Sequence, residues 1–204
     1  MNQRWIDYSL QDFSDHLSAR EPVPGGGGAA ALIGALAAAL CSMAGSYSTD
    51  KKSAEGHEDE LRKAIDKAEE LRMRLLALVD ADAEAFAPLA EAWRLPKDEV
   101  GKAALQQATL DACVAPMDML QSCAELVPAL ETIRRYGAKS LQSDVGCAAS
   151  ALAAALECAG MNLLVNTRLL DDGMVMEHQL FQLLDAAVPR AKSITRGVMD
   201  ELRR

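Results

Sequence analysis

Between Glu21 and Asp50 the chain runs for 28 residues without a formal charge. A stretch of that length must lie in a bilayer or inside a protein. Its make-up argues for the second. Ala and Gly dominate it, and Leu32, Ile33, Leu36, Leu40 and Met43 are its only long aliphatic side chains. Ala and Gly add little to membrane insertion beside Leu or Ile. The run therefore reads as a helix enclosed by protein on nearly all sides, and no membrane partner is expected.

The rest of the composition agrees. The chain has 37 Ala but only eight aromatic residues: two Trp, three Tyr and three Phe. Sequences rich in Ala, Leu, Glu, Lys and Arg and poor in β-branched residues favour helix over strand. Ala fills little volume, so helices built from it must approach closely to make a core. At 204 residues with no linker-like stretch, residues 1–204 read as a single domain. Lys plus Arg total 21 against 30 Asp plus Glu, a net charge of −9. No basic run is present to hold nucleic acid. The five cysteines, Cys41, Cys113, Cys123, Cys147 and Cys158, form no C-x-x-C and lie in apolar helical patterns. They read as reduced, buried thiols, and the start MNQRWIDYSLQDF has no apolar signal core; both point to the cytoplasm.

Periodicity divides the chain into about six helices and no strand. Ser9 and Asp12 open a short one, which ends before Pro22 and Pro24. Gly25–Gly28 then lead an uninterrupted helix to about Tyr47. A long helix runs from near His57 to Trp93 with Pro88 as a kink. A fourth, bent or broken, covers Asp98 to Tyr136 and carries Pro116 and Pro128, with Gly137 as its C-cap. Ser143-Asp144 is expected to cap a fifth, from Val145 to about Leu170, and Asp171-Asp172 a last one.

Three features bear on chemistry. Successive glycines at a helix start can aim backbone N–H groups at one anion, or simply let the helix tuck in. In the long helix, Leu61, Ile65, Ala68, Arg72, Leu75, Val79, Asp82, Phe86, Leu89 and Trp93 form one stripe, so Asp82 stands where a core residue belongs. Burial raises a carboxyl pKa and suits it to acid–base work near neutrality; a structural ion pair or a wet groove would also explain it. Arg72 on that stripe pairs an acid or binds an anion, while Asp80 points to the opposite, solvated face. In the fifth helix Asn162 and Asn166 follow small residues on one stripe, where they can read a polar heterocycle or bond a neighbouring helix. Asp144 reads as an N-cap, and Lys51, Lys52, Arg134, Arg135 and Arg168 as helix-end cations. His16, His57 and His178 share no ligand spacing, so no metal site is expected.

At these residues the sequence resembles a known family. PVPGGGGAAALIGALAAAL is similar to the P-T-P-G-G-G-S segment of the formiminotetrahydrofolate cyclodeaminase / methenyltetrahydrofolate cyclohydrolase family. LVDADAEAFAPLAEAWRLPK resembles its D-A-D-A-x-x-F … L-P-K segment, and SDVGCAASALAAALECAGMNLLVNTRLLDD its S-D … N … N … D segment. The three lie in the family's order, from about Leu10 to Asp172. Val23 and Gly28 stand where the family has small polar residues.

The resemblance implies an all-α homodimer that binds a folate near the subunit interface. It implies either closure of 5-formiminotetrahydrofolate with ammonia release or hydrolysis of 5,10-methenyltetrahydrofolate to 10-formyltetrahydrofolate, with no cofactor. Asp82, within the D-A-D motif, is then the general acid/base. Gly25, Gly26 and Gly27, with Asp144, Asn162 and Asn166, match as substrate-binding or scaffold positions, and Lys51 and Lys52 as partners of the folate's glutamate tail. The alternative is a non-catalytic helical dimer that binds folate or a protein partner.

Overall fold

In the computed structural model, which describes residues 3–204, seven α-helices and three short 3-10 turns make up the regular structure. They are α1 (Leu10–Ser18), α2 (Gly26–Ser46), α3 (Glu58–Ala92), α4 (Glu99–Ala112), α5 (Val114–Tyr136), α6 (Gln142–Thr167) and α7 (Met174–Leu202). The turns are Trp5–Asp7, Lys52–Ala54 and Lys139–Leu141. No strand occurs among the described residues. The all-α expectation holds, with one helix more than periodicity counted.

The extra helix comes from the fourth prediction. The chain from Asp98 to Tyr136 is two helices meeting at Cys113, which ends α4 and starts α5 with no linker. Asp98 caps α4 by accepting the Gly101 N–H at 2.9 Å. Pro88, by contrast, lies inside a continuous α3 and Pro128 inside a continuous α5. Ser9 caps α1 as expected, accepting the Asp12 N–H at 3.0 Å.

Two capping expectations are corrected. Asp144 does not cap α6 but sits in its first turn, because the Lys139–Leu141 turn winds straight into a helix that begins at Gln142. There it still complements the helix dipole. Asp171 and Asp172 do not cap α7, whose N-cap is Gly173; the Asp171 N–H instead donates to Gln106 Oε1 at 3.0 Å.

α2 is the centre. It packs chiefly on α3 and α6, while α5 packs on α3 and α6, and α7 closes the bundle against α6 and α5. Ala31, Ala37, Ala38, Cys41 and Ala44 on α2 have no exposed surface, nor do Ala148, Ala149, Leu152, Ala155 and Ala159 on α6. Small residues set the spacing: a Cβ added at Gly34 would lie 3.0 Å from Cys123 Sγ and 3.3 Å from Leu75, so α2 approaches α3 and α5 at that point. Although α2 has the length and hydropathy to cross a membrane, most of its surface is covered by its neighbours. A second, small apolar cluster of Leu89, Ala92, Ala108 and Ala112 joins the end of α3 to α4, apart from the main core.

All five cysteines are free. Cys41, Cys113 and Cys123 are buried, and burial pushes their thiols up to about 12, 11 and 12. Cys147 is exposed and Cys158 partly so, because both lie on the outer side of α6, which corrects the expectation that all five are buried.

Candidate active site

The space between the main core and the small α3–α4 cluster is a cavity of about 300 Å³. Four segments line it: the entry to α2 (Pro22, Val23, Gly25–Gly27), one face of α3 (Asp82, Phe86, Leu89, Trp93), the α4–α5 junction (Ala112, Pro116) and the end of α6 (Asn162, Asn166, Leu169).

Glycine is what brings the polar groups together. At Gly27 an added Cβ would overlap the Asp82 carboxylate, and at Gly26 it would lie 3.2 Å from Asn162 Oδ1. The N-terminus of α2 therefore meets the carboxylate of α3 and the amide of α6 with no side chain between them. Gly25 is different: a Cβ there meets nothing within 4 Å. Gly28 is buried, and a Cβ there makes only ordinary contacts with Pro24 and Val79. Since the first intrahelical bond runs from the Ala29 N–H to the Gly25 carbonyl, the N–H groups of Gly26, Gly27 and Gly28 are free of the helix ladder.

Asp82 is half-buried and, among the described residues, makes no salt bridge. Desolvation raises its carboxyl above the ordinary Asp range, and a backbone hydrogen bond from Gly28 works the other way. A carboxyl raised in this way is better matched to carrying a proton than a solvated Asp. The ion-pair alternative for Asp82 is thus removed. Arg72, on the same stripe, is engaged instead by Glu69 at 2.8 Å. Asp80 is not simply solvated: it is partly buried and accepts the Trp5 N–H, tying the N-terminal turn to α3.

The two asparagines use their donors on the scaffold and keep their acceptors. Asn162 Nδ2 donates to the Cys158 carbonyl at 2.8 Å, and Asn166 Nδ2 to the Ala112 carbonyl at 3.0 Å. Among the described residues neither Oδ1 has a hydrogen-bond donor, and both residues line the cavity. Asn166 thereby ties α6 to the α4–α5 junction, the structural reading, and its Oδ1 stays open to the cavity.

Lys51, Lys52 and Asp144 do not join this cluster. Gly26–Ser46 spans roughly 30 Å at 1.5 Å per residue, and the lysines follow its far end. Asp144 opens α6 while Asn162 and Asn166 close it, so Asp144 is also at the opposite end. The spacing of the motifs along the chain could not reveal this, because antiparallel packing of long helices separates residues by half the molecule.

Sequence reasoning left out the apolar walls. Phe86 and Trp93 stand in edge-to-face contact with centroids 6.0 Å apart, and with Leu89 they share the Asp82 face of α3, so the same periodicity marks them. Ala112, Pro116 and Leu169 carry no sequence signal; only the packing of α4, α5 and α6 brings them in. Among the described residues no Lys, Arg or His lines the cavity. Among the described residues no three His, Cys, Asp or Glu side chains gather as metal ligands. The result is a slot with flat apolar walls, one carboxyl of raised pKa and two amide acceptors. That combination suits a planar heterocycle bearing positive charge.

Comparison with known proteins points the same way. A sequence profile described as formiminotransferase-cyclodeaminase matches residues 9–183. The chain is 34% identical over 180 residues to a methenyltetrahydrofolate cyclohydrolase of Methylorubrum extorquens, covering 86% of each. It is 34% identical over 197 residues to the formimidoyltransferase-cyclodeaminase of Mus musculus, of which it spans 36%. Its fold matches a formiminotetrahydrofolate cyclodeaminase structure from Thermotoga maritima with a TM-score of 0.83 and 28% identity, over 95% of this chain and 98% of that one.

Proposed function

Because the chain belongs to the formiminotransferase-cyclodeaminase family, we propose that it is a folate one-carbon enzyme working at the level of 5,10-methenyltetrahydrofolate, with Asp82 as its general acid/base. The observation that carries this reading is the Asp82 carboxyl, desolvated and set against the bare backbone of Gly27 within the cavity.

The methenyl species is a planar cation, which the carboxylate and the Asn162 and Asn166 oxygens attract while Phe86, Leu89 and Trp93 cover ring faces. For hydrolysis, Asp82 takes a proton from water as its oxygen bonds to the methenyl carbon. The tetrahedral adduct then collapses to the formyl group as its C–N5 bond breaks. N5 receives the proton held by Asp82, and the hydroxyl proton leaves to solvent. For closure of the formimino compound in its protonated, amidinium form, N10 bonds to the formimino carbon, whose double bond to NH2 becomes single, and gives its proton to the carboxylate. The protonated Asp82 then delivers it to the departing nitrogen, which leaves as ammonia. Both sequences move protons through one carboxyl and call on no metal or other cofactor.

A homodimer fits the outer face of α2, where Leu36 and Tyr47 are 53% and 64% exposed on the same side as the half-covered Ile33, Leu40 and Met43. The five free thiols support a reducing, cytoplasmic setting.

Purified protein, supplied separately with 5-formiminotetrahydrofolate and 5,10-methenyltetrahydrofolate, is followed by the methenyl chromophore. Appearance from the first substrate identifies the cyclodeaminase, and accelerated loss from the second the cyclohydrolase. No change beyond buffer with either substrate overturns the reading. Binding of folate without turnover would instead favour a non-catalytic folate-binding dimer.

A further inference from the structure

We propose that α4 is the movable wall of the cavity and that Gln106 is the positioning residue that latches it over the substrate, a step that rests on the folate reading above. α4 is lightly anchored. It buries only Gly101, Ala108, Thr109 and Ala112, none larger than Thr, whereas α5 buries Met119, Leu120, Leu126, Leu130 and Ile133. Its apolar seat is the small cluster at the end of α3, separate from the main core. An element with so little buried apolar surface opens well below the free energy of global unfolding. Leu89 and Ala112 belong to that cluster and also line the cavity, so a shift of α4 moves the cavity wall directly. Both ends of α4 can turn: the chain is irregular from Trp93 to Asp98, and at Cys113 α4 meets α5 without a linker.

Two side chains tie this wall to the end of α6. Asn166 bonds the Ala112 carbonyl, next to the turn at Cys113, and so serves as the pivot. Gln106 lies about 9 Å farther along α4, at 1.5 Å per residue. Its Nε2 donates to the Leu169 carbonyl at 2.9 Å and its Oε1 accepts the Asp171 N–H at 3.0 Å. Leu169 is itself a wall of the cavity. Among the described residues the other side-chain hydrogen bonds of α4 stay within the helix or its cap. Gln107 makes the contrast plain: one position on, it is exposed and donates to Asp111 of its own helix at 2.8 Å. One amide, Gln106, therefore sets the distance between α4 and Leu169, and with it the width of the slot. Releasing its two bonds lets α4 swing about Cys113 and admit a planar ring. Remaking them returns Ala112 and Leu169 to the ring and excludes water from Asp82.

Amide hydrogen exchange and steady-state kinetics test this together. In the wild-type protein α4 should exchange about tenfold or more faster than α5, and saturating 5-formyltetrahydrofolate, a folate that is not turned over by either reaction, should slow α4 selectively. Gln106→Ala should speed exchange of α4 about tenfold and leave α2, α5 and the urea midpoint unchanged. With whichever substrate the wild-type protein turns over, the same variant should raise KM about tenfold with kcat within about twofold, because bound substrate still pulls the wall shut. Gln107→Ala should change none of these. A merely structural Gln106 would instead lower the urea midpoint and the exchange protection of α5, with KM unmoved, and that result overturns the proposal. So does an α4 that exchanges as slowly as α5 with and without the folate. Wild-type protein that neither turns over a folate nor is protected by one overturns the folate reading and the substrate half of the proposal, whereas faster exchange confined to α4 in Gln106→Ala upholds the wall and its latch.

Discussion

The two ends of the α2–α6 pair use close helix approach for opposite purposes. At the far end, every polar group that approach buries is given a partner. Ser48 has no exposed surface; its hydroxyl donates to the Ala44 carbonyl at 2.6 Å and accepts the Ala138 N–H at 2.8 Å. Gln142 accepts from Arg134 at 2.7 Å, and Arg134 also pairs with Glu201 of α7. At the glycine end, acceptors and donors are left over among the described residues: Asp82 without a cation, the two asparagine oxygens and the N–H groups of Gly26 and Gly27. Satisfied polar groups lock helices in register, whereas unsatisfied ones held at the edge of a cavity wait for a ligand. Small residues alone do not make a site; what matters is whether the groups they admit find partners within the chain.

Substitutions at the two ends should therefore separate activity from stability. The largest effect is expected for Asp82→Asn, which keeps shape and removes the proton carrier: kcat should fall by about 10²–10⁴ with the helical circular dichroism unchanged. A mutant retaining most of its rate would remove Asp82 from the mechanism. Next is Gly27→Ala, whose methyl forces the Asp82 carboxylate aside. A displacement near 1 Å should lower kcat/KM by about 100-fold.

Ser48→Ala should do the reverse, leaving the buried Ala138 N–H unpaired and lowering unfolding free energy by about 1–3 kcal/mol in urea titrations, with kcat unaltered. Loss of activity in that variant would mean that the two ends are coupled.

The pH dependence is a finer test. The folded-state carboxyl of Asp82 titrates above its unfolded value of 3.8. Its contribution to stability is thus complete below 3.8 and is lost as pH rises through the folded pKa. Wild-type stability relative to Asp82→Asn should fall over that window, and a constant difference would argue that the carboxyl is not desolvated. The smallest change is expected at Gly25→Ala, where the methyl enters open space: within about 0.5 kcal/mol in stability. An effect there as large as at Gly27 would erase the distinction between the glycines.

Much of this was legible in the residues. The Asp82 stripe, the asparagine pair and the capping by Ser9 are local or periodic, and a helix displays such patterns at 3.6 residues per turn without help from the fold. The limits were also physical. Ser143-Asp144 has the chemistry of a cap, but the start of α6 is decided by the preceding 3-10 turn and by the Ser48 bond to Ala138, a contact 90 residues apart in sequence. A bend or break within Asp98–Tyr136 is expected from the sequence, but its place at Cys113 follows from α4 folding back over the end of α3, which the apolar pattern does not encode.

By itself, then, the sequence determined an all-α chain with an Ala- and Gly-rich central helix, a misplaced carboxyl at Asp82 and the segments that identify its family. Propensity, periodicity and burial of uncharged surface act along one helix at a time, and that is enough for those conclusions. Only the tertiary structure decided which glycines admit Asp82 and Asn162, which aromatic walls face them, and that Lys51, Lys52 and Asp144 lie at the other end of the bundle. Those are distances between helices, set by how side-chain volumes pack against one another, and no pattern within a single helix carries them.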